Sequence, residues 1–268
     1  MRGFGAQRFP ADTAGYALAG RLRHELSALE RRPPVRRAAR RGDLHVAFTG
    51  ADFGALPTIP KVARSVPLWK AMEPHSMIAW GLNDEPLPVV HGFPFRTVVP
   101  GWAGSAPVKW VASIEVMDKP LKGPYMDASY RIPKHPVEPG GRMPADALIT
   151  ESWPVKSIIT HPAPNAKFRA GRAVLISGKA WVAEADIARV DVSFNEGVTW
   201  RRADINAGGD KYAWRVWSYA FTPEGPGYRT VIARATDTNG AVQPIAAAWN
   251  PLGYFWNGRH RVGFSVEA

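Results

Sequence analysis

The 268-residue sequence contains no cysteine. That absence excludes disulfide bonds, thiolate metal ligands and cysteine nucleophiles, and it suits an oxidising compartment as well as a reducing one. No run of about 18 or more apolar residues occurs either, so the sequence predicts no membrane-spanning helix. Arg2 and Arg8 stand early in the chain. No apolar core of about 7–15 residues with a small-residue cleavage site follows them, which reads as no signal peptide. No internal repeat is evident.

What is present is an ordinary globular apolar fraction, 46%, enough for a buried core without covalent staples. The net charge of +11 points at nucleic acid until it is located. Residues 1–41 hold ten arginines against Asp12, Glu25 and Glu30, a net +7, which leaves the remaining chain only weakly basic. A nucleic-acid binder spreads its charge over a folded face. Here the charge sits in one Arg- and Ala-rich leader, which reads as a solvated tail, and no nucleic-acid partner is expected.

Along the chain, residues 12–30 predict a short helix, capped by Asp12 or Thr13, with Leu18, Leu22, Leu26 and Leu29 at helical spacing. Pro33 and Pro34 end it. Residues 44–48, LHVAF, predict a buried strand that runs through Thr49 and Gly50 into a loop at Asp52. Residues 66–72 suggest a turn or two of helix, and residues 76–82 a further apolar element. The stretch 83–101, with Pro86, Pro88, Pro94, Pro100, Gly92 and Gly101, reads as a long ordered loop, where functional groups tend to sit. From about Pro154 the texture is antiparallel β throughout. Residues 173–177, 189–194, 212–221, 229–235 and 261–266 alternate, with a turn at Asn195, Glu196 and Gly197. Short strands at that spacing predict an immunoglobulin-type β-sandwich, joined to what precedes it by a Pro-rich connection over 133–164.

One string is far more specific than composition. Residues 85–110 read EPLPVVHGFPFRTVVPGWAGSAPVKW. They closely resemble the molybdopterin-domain signature of the sulfite oxidase and sulfite dehydrogenase family. FTGAD (48–52), VPLWKAM (66–72), SYRIP (129–133), PVKSIITHP (154–162), VDVSFNEGVTW (190–200) and WNPLGYFWNGRHRV (249–262) agree in order. The resemblance covers about residues 42–268. It implies a partial molybdopterin-binding domain over 42–150 and an immunoglobulin-like dimerisation domain over 151–268, after an unplaced leader over 1–41. The expected fold is thus an α+β remnant of the molybdopterin domain followed by an all-β sandwich.

The same resemblance implies roles for single residues. Arg96 is similar to the family arginine on the pterin phosphate, where a guanidinium fork donates two parallel charge-assisted bonds. His91 matches the family's cofactor-contacting histidine, and Lys109 with Pro107 and Val108 falls where the family supplies a lysine and backbone contacts. Asp52 lies where an aspartate accepts from the pterin amino group, which needs an acceptor-only side chain. For a small sulfur oxyanion, Tyr130 looks like the active-site tyrosine, with Tyr125 and Arg131 as alternates. Arg215 resembles an arginine lent by the sandwich, and Arg96 completes the catalytic set. On a strand, Arg215 shares a face with Trp217 and Tyr219, opposite Trp214. Each residue also has a plainer reading: His91 and Arg96 as loop hydrogen-bonders, Asp52 as a turn former, Arg215 as a surface arginine stacked on an aromatic.

The departure from the family is the missing metal ligand, since its molybdenum is held by one cysteine thiolate, so no metal-binding residue is assigned here. The expectation that follows is an N-terminally truncated or wrongly started chain. The implied activity is sulfite oxidation with a c-type cytochrome as acceptor and molybdopterin as cofactor. The implied partner is a second copy, with Trp214, Trp217, Trp249 and Trp256 offering interface area. Bacterial relatives are commonly periplasmic. The competing expectation is a non-catalytic dimerisation or binding module of the same lineage.

Overall fold

The computed structural model describes residues 42–53, 58–206 and 208–268, so the helix expected over 12–30 lies outside the described residues. The chain divides into two units: Met1–His135 with Gly141–Glu151, and Pro136–Gly140 with Ser152–Ala268.

The first unit carries strands β1 (His45–Gly50), β2 (Ala63–Pro67), β3 (Met77–Ala79), β4 (Gly81–Leu82), β5 (Glu85–Pro86), β6 (Arg96–Val98), β7 (Val111–Met117), β8 (Arg131–Ile132) and β9 (Leu148–Ile149). They make an antiparallel sheet in the order β2-β1-β7 and three two-stranded ladders, β3-β6, β4-β5 and β8-β9. The expected strand over 44–48 is therefore the middle of a sheet. Val46, Ala47 and Phe48 are all buried because β1 is paired on both edges and covered on both faces. Val46, Phe48, Val66, Val99, Trp102 and Val108 form the core of this unit. Helix is scarce. Residues 66–72 supply one α-turn, Leu68–Ala71, begun after Pro67, which presents no N–H and a fixed φ. The apolar element over 76–82 resolves into β3 and β4.

The second unit carries β10 (Lys156–His161), β11 (Lys167–Arg169), β12 (Val174–Trp181), β13 (Ile187–Ser193), β14 (Arg201–Arg202), β15 (Asp204–Ile205), β16 (Arg215–Phe221), β17 (Gly227–Asp237) and β18 (His260–Glu267). They form a four-stranded sheet, β10-β12-β16-β15, and a five-stranded sheet, β11-β18-β17-β13-β14, in which only β11 and β18 run parallel. Both sheets feed one core: Ile159, Val174, Ile176 and Trp217 from the first, Val190, Val192, Val231, Val262 and Phe264 from the second. The strand expected over 212–221 begins only at Arg215, because Tyr212 takes a φ of 66° and Ala213 closes a turn back onto Asp210. One expectation is corrected outright. Trp217 cannot belong to an interface, since it is 0% exposed at the centre of this core, whereas Trp214, Trp249 and Trp256 are 41, 38 and 55% exposed.

Candidate functional site

The Pro-rich loop of the first unit is fastened at both ends to the segment that ends in Lys109 and Trp110. Val89–His91 forms one 3-10 turn, closed by His91 N–H on the Pro88 carbonyl at 2.9 Å. Lys109 Nζ donates to the Val90 carbonyl at 2.8 Å, and Trp110 Nε1 donates to the Val89 carbonyl at 2.9 Å. The turn leaves through Gly92 at a φ of 110°. A Cβ there would meet Lys109 Cβ at 3.0 Å and Arg96 Cβ at 3.1 Å. Only glycine satisfies both the left-handed backbone and that approach.

Arg96 opens β6. Its Nη1 donates to the His91 carbonyl at 3.2 Å, while its Nε is buried with no hydrogen-bond partner among the described residues. Burial draws its guanidinium below the ordinary arginine value, since desolvation disfavours the charged form. Val108 is fully buried, and Thr97 takes both its backbone groups, donating its N–H to the Val108 carbonyl at 2.9 Å and accepting the Val108 N–H on Oγ1 at 2.7 Å.

Asp52 joins the same group from the end of β1. Its Oδ2 accepts the Val62 N–H at 3.0 Å, and its Oδ1 is buried without a partner among the described residues. The carboxylate lies over Gly50, where a Cβ would collide with it and come within 2.9 Å of the Lys109 carbonyl. Asp52, Arg96 and Lys109 thus meet around Gly50 and Gly92, with His91 next to Gly92 in the chain and Pro107 and Val108 leading into Lys109. The group presents one unsatisfied acceptor and one unsatisfied cationic donor.

Tyr130 belongs to a second group, built around a residue that the sequence reading missed. Arg64, on β2, is 1% exposed. It donates to the Tyr125 carbonyl and, at 3.3 Å, to the Thr150 carbonyl, and its guanidinium lies 5.4 Å from the Tyr130 ring centroid. The Tyr130 carbonyl accepts the Thr150 N–H at 2.8 Å, and the residue is held at a φ of 57°. Burial pushes the Glu151 carboxyl up, and Arg64 pulls it partly back. Arg131 donates to the Met126 and Ala147 carbonyls, and the Tyr125 hydroxyl to the Pro60 carbonyl at 3.3 Å, so both alternates for Tyr130 hold loops together. The sequence offers little signal for Arg64: a strand as short as Ala63–Pro67 does not fix which face its one charged residue takes.

Arg215 stands in the second unit. It shares its face of β16 with buried Trp217, while exposed Trp214 points the other way. Its fork is taken by Asp186, with Nε at 2.8 Å and Nη2 at 2.6 Å, and its Nη1 donates to the Gly208 carbonyl at 3.2 Å. The guanidinium holds the Asp186 carboxyl below the usual carboxylate range. Both groups line a cavity of about 620 Å³, with Arg202, Asp204 and Asn206. Among the described residues no cluster of three His, Asp or Glu side chains converges on a metal position.

Residues 24–125 match the family model of an oxidoreductase molybdopterin binding domain, and residues 147–267 that of a Mo-co oxidoreductase dimerisation domain. Mitochondrial sulfite oxidase of Rattus norvegicus is 33% identical over 238 residues, which are 85% of this chain and 43% of that protein. The Homo sapiens protein is also 33% identical, over 84% of this chain and 43% of its own length. The chain therefore spans well under half of these relatives. Among solved structures, the sulfane dehydrogenase SoxCD of Paracoccus pantotrophus is similar, with 30% identity and a TM-score of 0.67 over 85% of this chain and 58% of that one.

Proposed function

The chain belongs to the sulfite oxidase family of molybdopterin oxidoreductases, and on that premise we propose that it serves molybdenum-dependent oxidation of sulfite or a related sulfur oxyanion. The electron acceptor in this reading is a c-type cytochrome. The second unit, over 151–268, is read as an immunoglobulin-like sandwich that pairs two copies, and residues 42–150 as the molybdopterin-binding part.

The observation that carries the reading is the pair of buried, unsatisfied atoms, Asp52 Oδ1 and Arg96 Nε, both packed about Lys109. A buried polar atom without a partner costs about 1–3 kcal/mol. The site therefore favours a group that brings a donor to Asp52 and an acceptor to Arg96. A pterin ring carries amino donors and its phosphate carries acceptors, so the residues fit the cofactor. Asp52 would take the amino end; Arg96, Lys109 and His91 would take the phosphate end beside Pro107. Val108 serves as an anchor, because its backbone is committed to Thr97 and its side chain to the core.

When bound, the cofactor supplies a molybdenum centre able to take two electrons from the substrate. The groups proposed for the anion are taken unit by unit: Arg96 and Tyr130 as a cation and a phenol of the first unit, and Arg215 as an arginine of the second. Asp186 already matches the charge of Arg215, so its remaining N–H donors orient an anion more than they attract it. The chain supplies no thiolate. Serine or carboxylate oxygen is a harder ligand than sulfur and a poor replacement. The likeness to a sulfane dehydrogenase favours a second substrate class, sulfane sulfur, beside sulfite.

The test is to purify the 268-residue chain from a host that makes molybdopterin. Released pterin is read by fluorescence and molybdenum by elemental analysis. Pterin is expected to copurify and metal to fall well below one per chain. Arg96→Ala should weaken pterin retention about 10- to 100-fold, the size of a lost hydrogen bond to a charged group. A wild-type chain without pterin refutes the reading. Because the 268-residue chain supplies no thiolate for the metal, that chain by itself is expected to show no sulfite-dependent reduction of cytochrome c, and pterin retention carries the test. Robust turnover would overturn the requirement for a thiolate.

A further inference from the structure

The first unit holds a second concave surface, apart from the group around Gly50 and Gly92. Ala79 faces Arg96 across the β3-β6 ladder, and Gly81 and Leu82 face Pro86 and Glu85 across the β4-β5 ladder. Asn83 and Asp84 close the second ladder with φ of 59° and 61°, the left-handed pair that a two-residue hairpin turn favours. Ile78, Trp80, Asp84, Glu85, Phe93 and Phe95 line one cavity of about 590 Å³ beside these ladders.

Its chemistry is aromatic and acidic. Trp80, Phe93 and Phe95 are 49, 48 and 45% exposed, so three large rings stand half open on one concave surface. Exposed apolar area gathered in this way marks a place where something binds. Asp84 and Glu85 are exposed in the same lining, and among the described residues neither carboxylate has a basic partner. The groove therefore offers ring faces and two uncompensated negative charges.

We propose that this groove seats the chain's own segment 31–37, Arg-Arg-Pro-Pro-Val-Arg-Arg. The segment complements the groove on both counts. Pro33 and Pro34 fix their own φ and bias the residue before each of them towards an extended backbone, so little conformational freedom is lost on docking. Aromatic-lined grooves recognise that extended form. Arg31, Arg32, Arg36 and Arg37 flank the prolines on both sides, and no acidic residue stands between Glu30 and Asp43 to compete for them. Their guanidinium groups can pair with Asp84 and Glu85 and lie over the rings. The segment is also within reach. Eleven residues separate Arg31 from Gly42, about 36 Å of extended chain, against a radius of gyration of about 13 Å for a folded unit of about 100 residues. So short a tether keeps the effective concentration in the millimolar range, and individually weak contacts then suffice. The basic leader is in this reading a strap on its own unit, and it bears on residues 93–95, which join Gly92 to Arg96.

The chain has no cysteine, so Val35→Cys in the complete chain accepts a single bimane label, a fluorophore that an adjacent tryptophan quenches. Strong quenching is expected, and Trp80→Phe should relieve it while leaving an aromatic ring in the groove. Asp84→Asn combined with Glu85→Gln should lower the ratio of quenched to bright label about 10-fold, the scale of two exposed ion pairs. Glu115→Gln, at an exposed position of β7, should leave that ratio unchanged. A synthetic peptide of residues 31–37 should displace the label. Amide exchange of the unlabelled chain is the second measurement: Arg36→Glu with Arg37→Glu should speed exchange across residues 78–87. Where the label stays bright in the otherwise unaltered chain, the exchange decides, and unchanged exchange overturns the proposal. Quenching that survives Trp80→Phe, or a ratio untouched by loss of the two carboxylates, overturns it as well. Quenching relieved by dilution assigns the groove to the leader of a second copy and overturns the own-chain occupant.

Discussion

Hydrogen-bond direction at single residues decides how the second unit responds to acid. Ile159 N–H donates to His260 Nδ1 at 2.9 Å, so that nitrogen must hold a lone pair and the ring must be neutral at this contact. Burial, and then the nearby charge of Lys156, lower the His260 pKa from 6.5. A histidine whose folded pKa lies below its unfolded one costs nothing while both states are neutral. Stability is therefore full above about pH 6.5 and is lost as pH falls toward the folded value, where the unfolded chain binds the proton more readily. His45, lowered mainly by burial with Asp43 opposing, acts in the same direction in the first unit. Urea unfolding at pH 7.5 and 5.5 should show a lower midpoint in acid, and His260→Asn should shrink that difference. An unchanged difference would place the acid sensitivity elsewhere. The sequence string around His91, Arg96 and Lys109 was legible because its spacing is specific. Arg64 was not, because short strand context says little about which face a side chain takes. The two missing partners, on Asp52 and Arg96, are products of tertiary packing that no local pattern reports.

Elements are tied together by side chains as much as by ladders. Gln243 is fully buried between β10, β17 and the segment before β18. Its Oε1 accepts the Ser157 N–H at 2.9 Å, the Ser157 hydroxyl at 2.8 Å and the Ala235 N–H at 3.1 Å. Its Nε2 donates to the Ser157 and Gly258 carbonyls at 3.2 and 3.0 Å. Gln243→Leu keeps the volume roughly and strands several of those groups, so it should destabilise by about 3 kcal/mol or more, on the scale of one or two orphaned buried donors. Chemical denaturation measures it, and a loss under about 1 kcal/mol would mean that the network relaxes. The long strands β12, β13, β16, β17 and β18 were readable because eight or so alternating residues carry a clear period. β11, β14 and β15, of two or three residues, were not, since a strand that short has no period to detect. The α component expected of the first unit shrinks to Leu68–Ala71 among the described residues. Prolines and glycines over 83–101 break any helical repeat there and leave loop and ladder instead.

At the scale of the whole molecule, the two units answer different physical demands. The first gathers an acceptor and a cationic donor without partners around Gly50 and Gly92, while the second ties polar groups such as Gln243 and Ser157 into its own core. The basic leader lies outside both descriptions, and its charge explains most of the net +11. The five-stranded sheet has one further property. β18 is the last strand in chain order, yet it lies between β11 and β17 and supplies Val262, Phe264 and Val266 to the core. During synthesis, then, β11 and β17 have no neighbour to share until His260–Glu267 has left the ribosome. The second unit must mature after translation has passed its final strand, and until then two open edges wait for a partner. A nascent chain stalled with β18 still in the exit tunnel should be digested by protease throughout the second unit. Moving the stall far enough downstream to free β18 should bring protection in one step. Protection before β18 emerges would show that the sheet can close without its centre.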